Sequence, residues 1–283
     1  MDLSNKLCVV TGANSGIGKE TVRAFARQGA YVVMICRNEQ RAEQARQEIM
    51  EDTNHTGLEI VLADLALQYD IRKAAETIKD KFDHIDILVN NAGFIPHKRQ
   101  ETADGIEKTL AVNHLAPFLL TNLLYNHLKE SAEGRVITVS SEAHRLGAPV
   151  FDFQNLQLEE HFAPMKAYGL SKLCNIMFTH QLANRAQHNS VTANCLHPGV
   201  VRTQLAEEAS LLMKAFYFLG TPFMKSAKRG AQTSIYLATS DEVKEISGKY
   251  FKNKKVTKPA SIAYDRQKSE RLWKISAELT GLS

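Results

Sequence analysis

The chain has 283 residues, 44% of them hydrophobic and 23% charged, with a formal net charge of +4. That length suits one large core or at most two small domains, and the composition excludes a disordered tail protein. The small positive balance comes without a dense basic stripe. FKNKKVTK at 251–258 is short and reads as a solvated loop, so nucleic acid is not an expected partner.

In chain order, short apolar runs alternate with helical patterns. LCVVT (7–11) reads as a buried strand, 17–28 as a helix, YVVMIC (31–36) as a second strand and 39–52 as a polar, Ala-rich helix. LEIVLA (58–63) is a third strand, 67–82 a helix, and IDILVNN (85–91) a fourth strand. A long helical zone at about 103–130 precedes RVITVS (135–140), and a helix at about 165–187 precedes VTANCL (191–196). Beyond 196 the rhythm loosens into an apolar helical segment near 204–220, a helix near 227–239 and a short strand, GKYF (248–251). Strands without polar alternation are buried on both faces, and strand–helix repetition predicts a parallel sheet with helices on each side. No repeat or linker interrupts it, so one domain is expected over 1–283, with 204–226 as a lid on a substrate pocket.

Cys8, Cys36, Cys174 and Cys195 sit in or beside apolar runs, and no pair has metal spacing. They read as reduced, buried thiols, and the expected compartment is the cytoplasm. MDLSNKL lacks the basic and apolar regions of a signal peptide, and no apolar run reaches the length of a membrane span. LLMKAFYFLGTPFM (211–224) is unusually apolar and carries three readings: a pocket lid, a dimer face or a peripheral membrane contact.

Between the first strand and helix lies TGANSGIG, 11–18, with glycines at Gly12, Gly16 and Gly18. The spacing is neither GxGxxG nor a P-loop, but the physics is shared. Glycines allow a tight turn and close ligand approach, and the helix N-terminus offers N–H groups to a pyrophosphate. The second strand ends in Cys36 and Arg37, where an NAD-type site would place a carboxylate. An arginine pairs with a 2′-phosphate, so NADP(H) is expected over NAD(H). Asp64 and Leu65 lie just past the third strand, at the adenine edge; Asn90, Ala92 and Gly93 end the fourth, beside the ribose.

AYGLSKLCN (167–175) puts Tyr168 and Lys172 on one helix face. A phenol titrates at about 10, and a neighbouring ammonium favours its anion. Tyr168 can then give a proton to a carbonyl or take one from an alcohol, with Lys172 tuning it and holding ribose hydroxyls. Such a pair occurs by chance on many helices, so context matters. VSS (139–141) places Ser141, with Ser140 as competitor, at a strand end facing the crevice, where a hydroxyl can bond the same substrate oxygen. No GxSxG elbow points to a hydrolase. Asn113 lies four residues before Pro117, which has no N–H for its carbonyl; the expected result is a kink with an ordered water on the freed oxygen.

TGANSGIG, NNAG (90–93), Asn113, Ser141, YGLSK and PGVVRT (198–203) together resemble the short-chain dehydrogenase/reductase family. VNHLAPFLLTNLL, VSSEAHRLG, SKLCNIMFT, HPGVVRTQL, KRGAQTSIYLA and ERLWKISAELTGL are similar to its retinol dehydrogenase-like branch, which includes the oxidoreductase domain of WW-domain oxidoreductases. The resemblance implies a single-domain Rossmann-type α/β fold, doubly wound, with a seven-stranded parallel sheet and helices on both faces. It implies NADP(H) and hydride transfer to or from a carbonyl carbon. Gly12, Asn14, Ser15, Gly16, Ile17 and Gly18 would wrap the phosphates. Ser141 would orient the carbonyl, Tyr168 act as acid or base, Lys172 hold ribose, and Asn113 position a relay water. Pro198, Gly199, Val201 and Thr203 would contact the nicotinamide side. Many members of this branch carry an N-terminal membrane anchor, which MDLSNKL does not resemble.

The stretches 142–165 and 204–226 are expected to set specificity. Leu146, Phe151, Phe153, Phe162, Leu205, Leu211, Leu212, Phe216, Phe218 and Phe223 would suit a lipophilic aldehyde, ketone or alcohol, and equally a core or dimer contact. FDFQNL (151–156) is expected to wall the pocket. A homodimer or homotetramer is usual in the family. Two other functions stand beside the oxidoreductase: a catalytically weak NADP(H)-binding regulatory protein, and an epimerase or dehydratase, for which the C-terminal third offers little room.

Overall fold

LCVVT forms β1 (Leu7–Thr11) with all five residues buried, because helices cover both faces of a strand without polar alternation. The structure is a computed structural model that describes residues 2–201 and 224–282. Thr203 and most of the expected lid, 204–223, lie outside the described residues.

The chain alternates in the expected order: α1 (Gly16–Ala26), β2 (Tyr31–Cys36), α2 (Glu39–Thr53), β3 (Leu58–Leu62), α3 (Gln68–Lys81) and β4 (Ile87–Asn90). The zone expected to be one helix from 103 begins later and is not uniform. A turn at α4 (Lys108–Leu110) runs into a π-helical turn, Ala111–Leu115, and then α5 (Ala116–Lys129). Next come β5 (Arg135–Val139), the short α6 (His144–Gly147), α7 (Pro164–Arg185), β6 (Thr192–His197), α8 (Ala227–Thr239), β7 (Lys249–Lys252), β8 (Lys255–Val256) and α9 (Arg266–Leu279).

The sheet order is β3-β2-β1-β4-β5-β6-β7-β8. The first seven are parallel, as expected; β8 adds an antiparallel edge of two residues, so the sheet is eight-stranded and mixed. One face is packed by Ile71, Ile78, Leu119, Leu120 and Phe178 from α3, α5 and α7. The other is packed by Val22, Phe25, Ile49 and Leu237 from α1, α2 and α8. The chain runs outward through β2 and β3, then returns past β1 to β4. The reversal between β1 and β4 opens a crevice at the C-terminal strand ends, where open α/β sheets bind ligands.

A third cluster lies outside the two faces. Leu156, Leu158, Leu173, Ile176 and Leu272 bury together, with Phe151, Phe153 and Phe162 packed against them. This is where the FDFQNL segment goes. Phe151 and Phe153 meet edge to face at 5.0 Å, and the Arg271 guanidinium lies 4.3 Å from the Phe153 ring centre. The aromatics expected to wall the pocket instead anchor the insertion to α7 and α9, because α9 offers an apolar face there.

Candidate active site

The crevice is built on the first turn. Gly12 and Gly16 have φ of +63° and +53°, conformations that a side chain resists. Gly18 serves differently: a Cβ there would collide with the Gly12 carbonyl oxygen, so its bareness lets α1 pack on its own turn. Ser15 is the N-cap of α1, yet its hydroxyl makes no capping bond, and the first helical turn leaves N–H groups without intrahelical partners. These are open donors at the positive end of a helix. Asn91, missed as a site residue, locks the turn: its Nδ2 donates to Thr11 O at 2.9 Å and Gly12 O at 3.3 Å. Thr11 Oγ1 accepts in return from the N–H groups of Asn91 and Ala92, both at 3.0 Å.

Among the described residues this crevice measures about 1250 Å³, beyond the range of a single small-molecule pocket. Gly12, Asn14, Ser15, Gly16 and Ile17 line its floor. Arg37, Asp64 and Leu65 line one end, joined by Arg41, which composition alone did not single out. Asn38 caps α2 by accepting from Arg41 N at 2.8 Å, which holds this basic corner in place. Burial drives the Cys36 thiol up to about 12, so it stays protonated beside the crevice. Ala92 and Gly93 line the middle; Asn90 does not, because strand alternation turns its side chain to Thr121 on α5 at 2.9 Å. Pro198, Gly199 and Val201 line the far wall.

Ser141, Tyr168 and Lys172 converge at that far end. The rivalry between the serines resolves by hydrogen bonding. Ser140 Oγ donates to Lys172 O at 2.8 Å and ties β5 to α7. Ser141 Oγ accepts from Ala143 N at 3.2 Å, leaving its proton for a ligand. The Ser141 carbonyl takes the His144 Nδ1–H at 2.7 Å, and His144 Nε2 accepts from Ala260 N at 3.0 Å. Those two bonds assign the neutral Nδ1–H tautomer, and burial lowers that ring's pKa. Lys172 donates to Val139 O at 2.9 Å, with its ammonium 5.6 Å from the Tyr168 ring centre. Full burial pulls Lys172 down to about 8.

Two glycines set the spacing of this group. A Cβ on Gly147 would strike the Gly169 backbone, and one on Gly169 would strike the Ala143 carbonyl. Their contact lets α6 lie directly on α7, the helix that carries Tyr168 and Lys172. A second layer supports the strand ends: Glu142 N donates to His197 Nδ1 at 3.2 Å, and Tyr250 OH donates to Glu142 Oε1 at 2.7 Å. Burial takes His197 down to about 4, so its imidazole is neutral and can accept.

Asn113 sits on the π turn, wholly buried behind the crevice wall. Its side chain clamps Phe94: Oδ1 accepts from Phe94 N and Nδ2 donates to Phe94 O, both at 3.0 Å. Its carbonyl, deprived of a donor by Pro117, was expected to hold water. It accepts from Asn175 Nδ2 at 2.8 Å, which uses one of its two lone pairs and leaves the other for the expected water. The wall beyond Gly93 is mostly apolar, with Phe94, Ile95, Val112, Ala143 and Met165 facing the crevice beside Lys108, whose ammonium lies 5.3 Å from the Phe94 ring centre; of the 142–165 stretch only Glu142, Ala143 and Met165 take part. Among the described residues no metal-binding cluster occurs and no helix is long and apolar enough to cross a membrane.

A dinucleotide-type turn at the sheet's reversal point, with a serine, a tyrosine and a lysine facing it, defines a dehydrogenase of the Rossmann type. Comparison with known proteins agrees. The family model for short chain dehydrogenases matches residues 6–153. Human retinol dehydrogenase 12 is 43% identical over 282 residues, covering 100% of this chain and 88% of its own. A crystal structure of an uncharacterised protein from Mycobacterium Paratuberculosis superposes with a TM-score of 0.79 at 29% identity, covering 99% of this chain and 95% of that one. A short chain dehydrogenase from Escherichia coli CFT073, solved with NADPH, gives 0.70 at 25% identity, covering 88% and 96%. The chain belongs to the short-chain dehydrogenase family.

Proposed function

We propose that this protein is an oxidoreductase that interconverts a lipophilic aldehyde or ketone and its alcohol, with NADP(H) as cofactor and retinal/retinol-like molecules among its substrates. The observation that carries the reading is the convergence of Ser141, Tyr168 and Lys172 on the far end of the nucleotide crevice.

The residues fit the cofactor. The bare Gly12–Gly16 turn and the uncapped start of α1 suit a pyrophosphate, and Arg37 with Arg41 suits a 2′-phosphate. Among the crevice-lining residues, Asp64 and Leu65 would border the adenine, Ala92, Gly93, Tyr168 and Lys172 the ribose, and Pro198, Gly199 and Val201 the nicotinamide. The bound cofactor supplies or accepts the hydride. Ser141 donates its free hydroxyl proton in a hydrogen bond to the substrate oxygen and stabilises charge developing there. Tyr168 gives that oxygen its phenolic proton in reduction and takes it back in oxidation. The Lys172 ammonium favours the phenolate left behind. Phe94, Ile95, Val112 and Met165 exclude water and accept an apolar chain.

The test offers purified protein NADPH or NADH with retinal, medium-chain aldehydes, a steroid ketone and an aromatic diketone, following nicotinamide absorbance. Turnover is expected with NADPH and an apolar carbonyl. Tyr168→Phe should lower kcat by a factor on the order of 100 or more while binding NADPH normally. Turnover undiminished in that variant, or none with any carbonyl, would overturn the reading.

A further inference from the structure

A buried line of polar side chains runs away from the crevice to the last helix, and the chemistry proposed above does not use it. Asn113, His114, Asn175 and Ser276 are each no more than 1% exposed. Asn175 Nδ2 meets Asn113 O at 2.8 Å, His114 Nδ1 lies 3.2 Å from Asn175 Oδ1, and His114 Nε2 lies 3.0 Å from Ser276 Oγ.

The direction of every bond follows from one end. A peptide carbonyl can only accept, so the Asn175 amide must present its NH2 group to Asn113. That turns Asn175 Oδ1, again an acceptor, toward His114, so His114 Nδ1 must carry the hydrogen. Burial takes the ring down to about 4, hence it is neutral and Nε2 is bare. Ser276 must then donate its hydroxyl proton. The Phe118 and Phe178 rings, each centred 6.4 Å from the imidazole, flank the ring. The start of the line is equally fixed, because Arg72 and Gln68 of α3 donate to Thr280 O at 2.6 Å and Leu279 O at 2.8 Å and pin the end of α9.

At the other end, Asn113 is not an ordinary helix residue. It sits in a π turn whose carbonyl has lost its normal donor to Pro117, so Asn175 supplies the replacement. Through its side chain Asn113 clamps both backbone groups of Phe94, and Phe94 and its neighbour Gly93 face the crevice. We propose that Ser276, His114 and Asn175 are positioning residues: a one-way hydrogen-bond chain by which the C-terminal helix holds the Asn113 peptide, and through it the Gly93–Phe94 wall, in the geometry that carbonyl reduction needs. The kinetic part of this rests on the oxidoreductase reading; the structural part does not.

The experiment compares Ser276→Ala with Ser269→Ala. Ser269 is a buried serine on the same helix whose hydroxyl has no hydrogen-bond partner among the described residues, so its loss reports packing alone. Amide and imidazole ¹⁵N spectra of the NADP⁺ complex are recorded beside kcat, carbonyl KM and NADPH affinity. The wild-type His114 ring should show a protonated Nδ1 and a bare Nε2. Ser276→Ala should move the Phe94 amide resonance and lower kcat about tenfold, the scale of one lost buried hydrogen bond, with NADPH affinity changed less than about twofold. Ser269→Ala should do neither. An Nε2-protonated ring, a Phe94 amide that stays put in Ser276→Ala, or equal kcat in the two variants would overturn the proposal. Absence of turnover in the wild type would sink the oxidoreductase reading instead, while the spectra would still decide for or against the chain.

Discussion

Lys172 shows how much one buried side chain can decide. It keeps an ammonium in a fully buried place, with Val139 O as hydrogen-bond acceptor, and burial takes its pKa from 10.5 to about 8. Below about 8 the folded protein holds that charge at a cost. Between about 8 and 10.5 the unfolded chain binds a proton that the folded one has released, so this residue's contribution to stability rises with pH there. Activity moves the other way. In the proposed reaction carbonyl reduction would use the charged lysine, so kcat/KM, which reports the free enzyme, should fall along a one-proton limb near pH 8. A profile flat to well above that value would show that Lys172 does not titrate there. Gly169 gives a second residue-scale test. An added methyl meets the Ala143 carbonyl, and the strain should push α6 off α7, which carries Tyr168 and Lys172. Gly169→Ala should cost about 1–3 kcal/mol by thermal unfolding, and kcat should fall with it. At this scale the sequence was a good guide to groups that face the crevice, since Tyr168, Lys172 and Ser141 belong to short local patterns. It was a poor guide to their supports. His144, Asn175 and Gly147 act through partners far away in the chain, which no local spacing reveals.

At the scale of elements, α9 changes the reading most. Its residues were legible only as a likeness, although Leu272, Ile275 and Leu279 follow a helical period and Asp265 caps the start by accepting from Lys268 N at 3.0 Å. With α9 unassigned, the aromatics of 151–162 had no partner to pack on, and a pocket was the natural destination. With α9 in place they become its neighbours. The anchor is Trp273, stacked on Phe178 at 5.7 Å, edge to face with Phe118 at 4.9 Å, and under the Arg185 guanidinium at 4.4 Å. Trp273→Ala should destabilise by about 3 kcal/mol, a loss typical of large aromatic truncations. Denaturant melts would check it. The same helix carries Ser276, so kcat should fall in this variant even where the protein remains folded. The π turn was half legible. Pro117 announces a carbonyl without its helix donor, but the replacement, Asn175, comes from another helix and only the fold brings it there.

At the scale of the whole molecule, the parallel order of seven strands followed from the apolar runs and the helices between them, while β8 did not. Two exposed residues, Lys255 and Val256, make no apolar run, and they pair only because the chain turns back at once from β7. The sheet order has an energetic consequence. The crevice takes residues from the end of β2 and the loops after β1 and β3 on one side of the reversal, and from the loop after β4 and the ends of β5 and β6 on the other. A dinucleotide lying across it ties both halves to the folded state and binds nothing comparable in the unfolded chain. Ligand at about 100 times its Kd then adds about 2.7 kcal/mol. For a chain of this size that raises Tm by roughly 4–5 °C. NADP⁺ should produce this shift, and NAD⁺ at equal concentration a smaller one, because Arg37 and Arg41 at the crevice end have no phosphate to meet. Arg37→Ala should weaken NADP⁺ on the order of tenfold and leave NAD⁺ unchanged, the pattern of a lost charge-assisted contact to one ligand only. Thermal shift titrations with both nucleotides would measure it. Equal losses for the two would mean that Arg37 stacks on the shared adenine, and an unchanged NADP⁺ response would hand the phosphate to Arg41 alone.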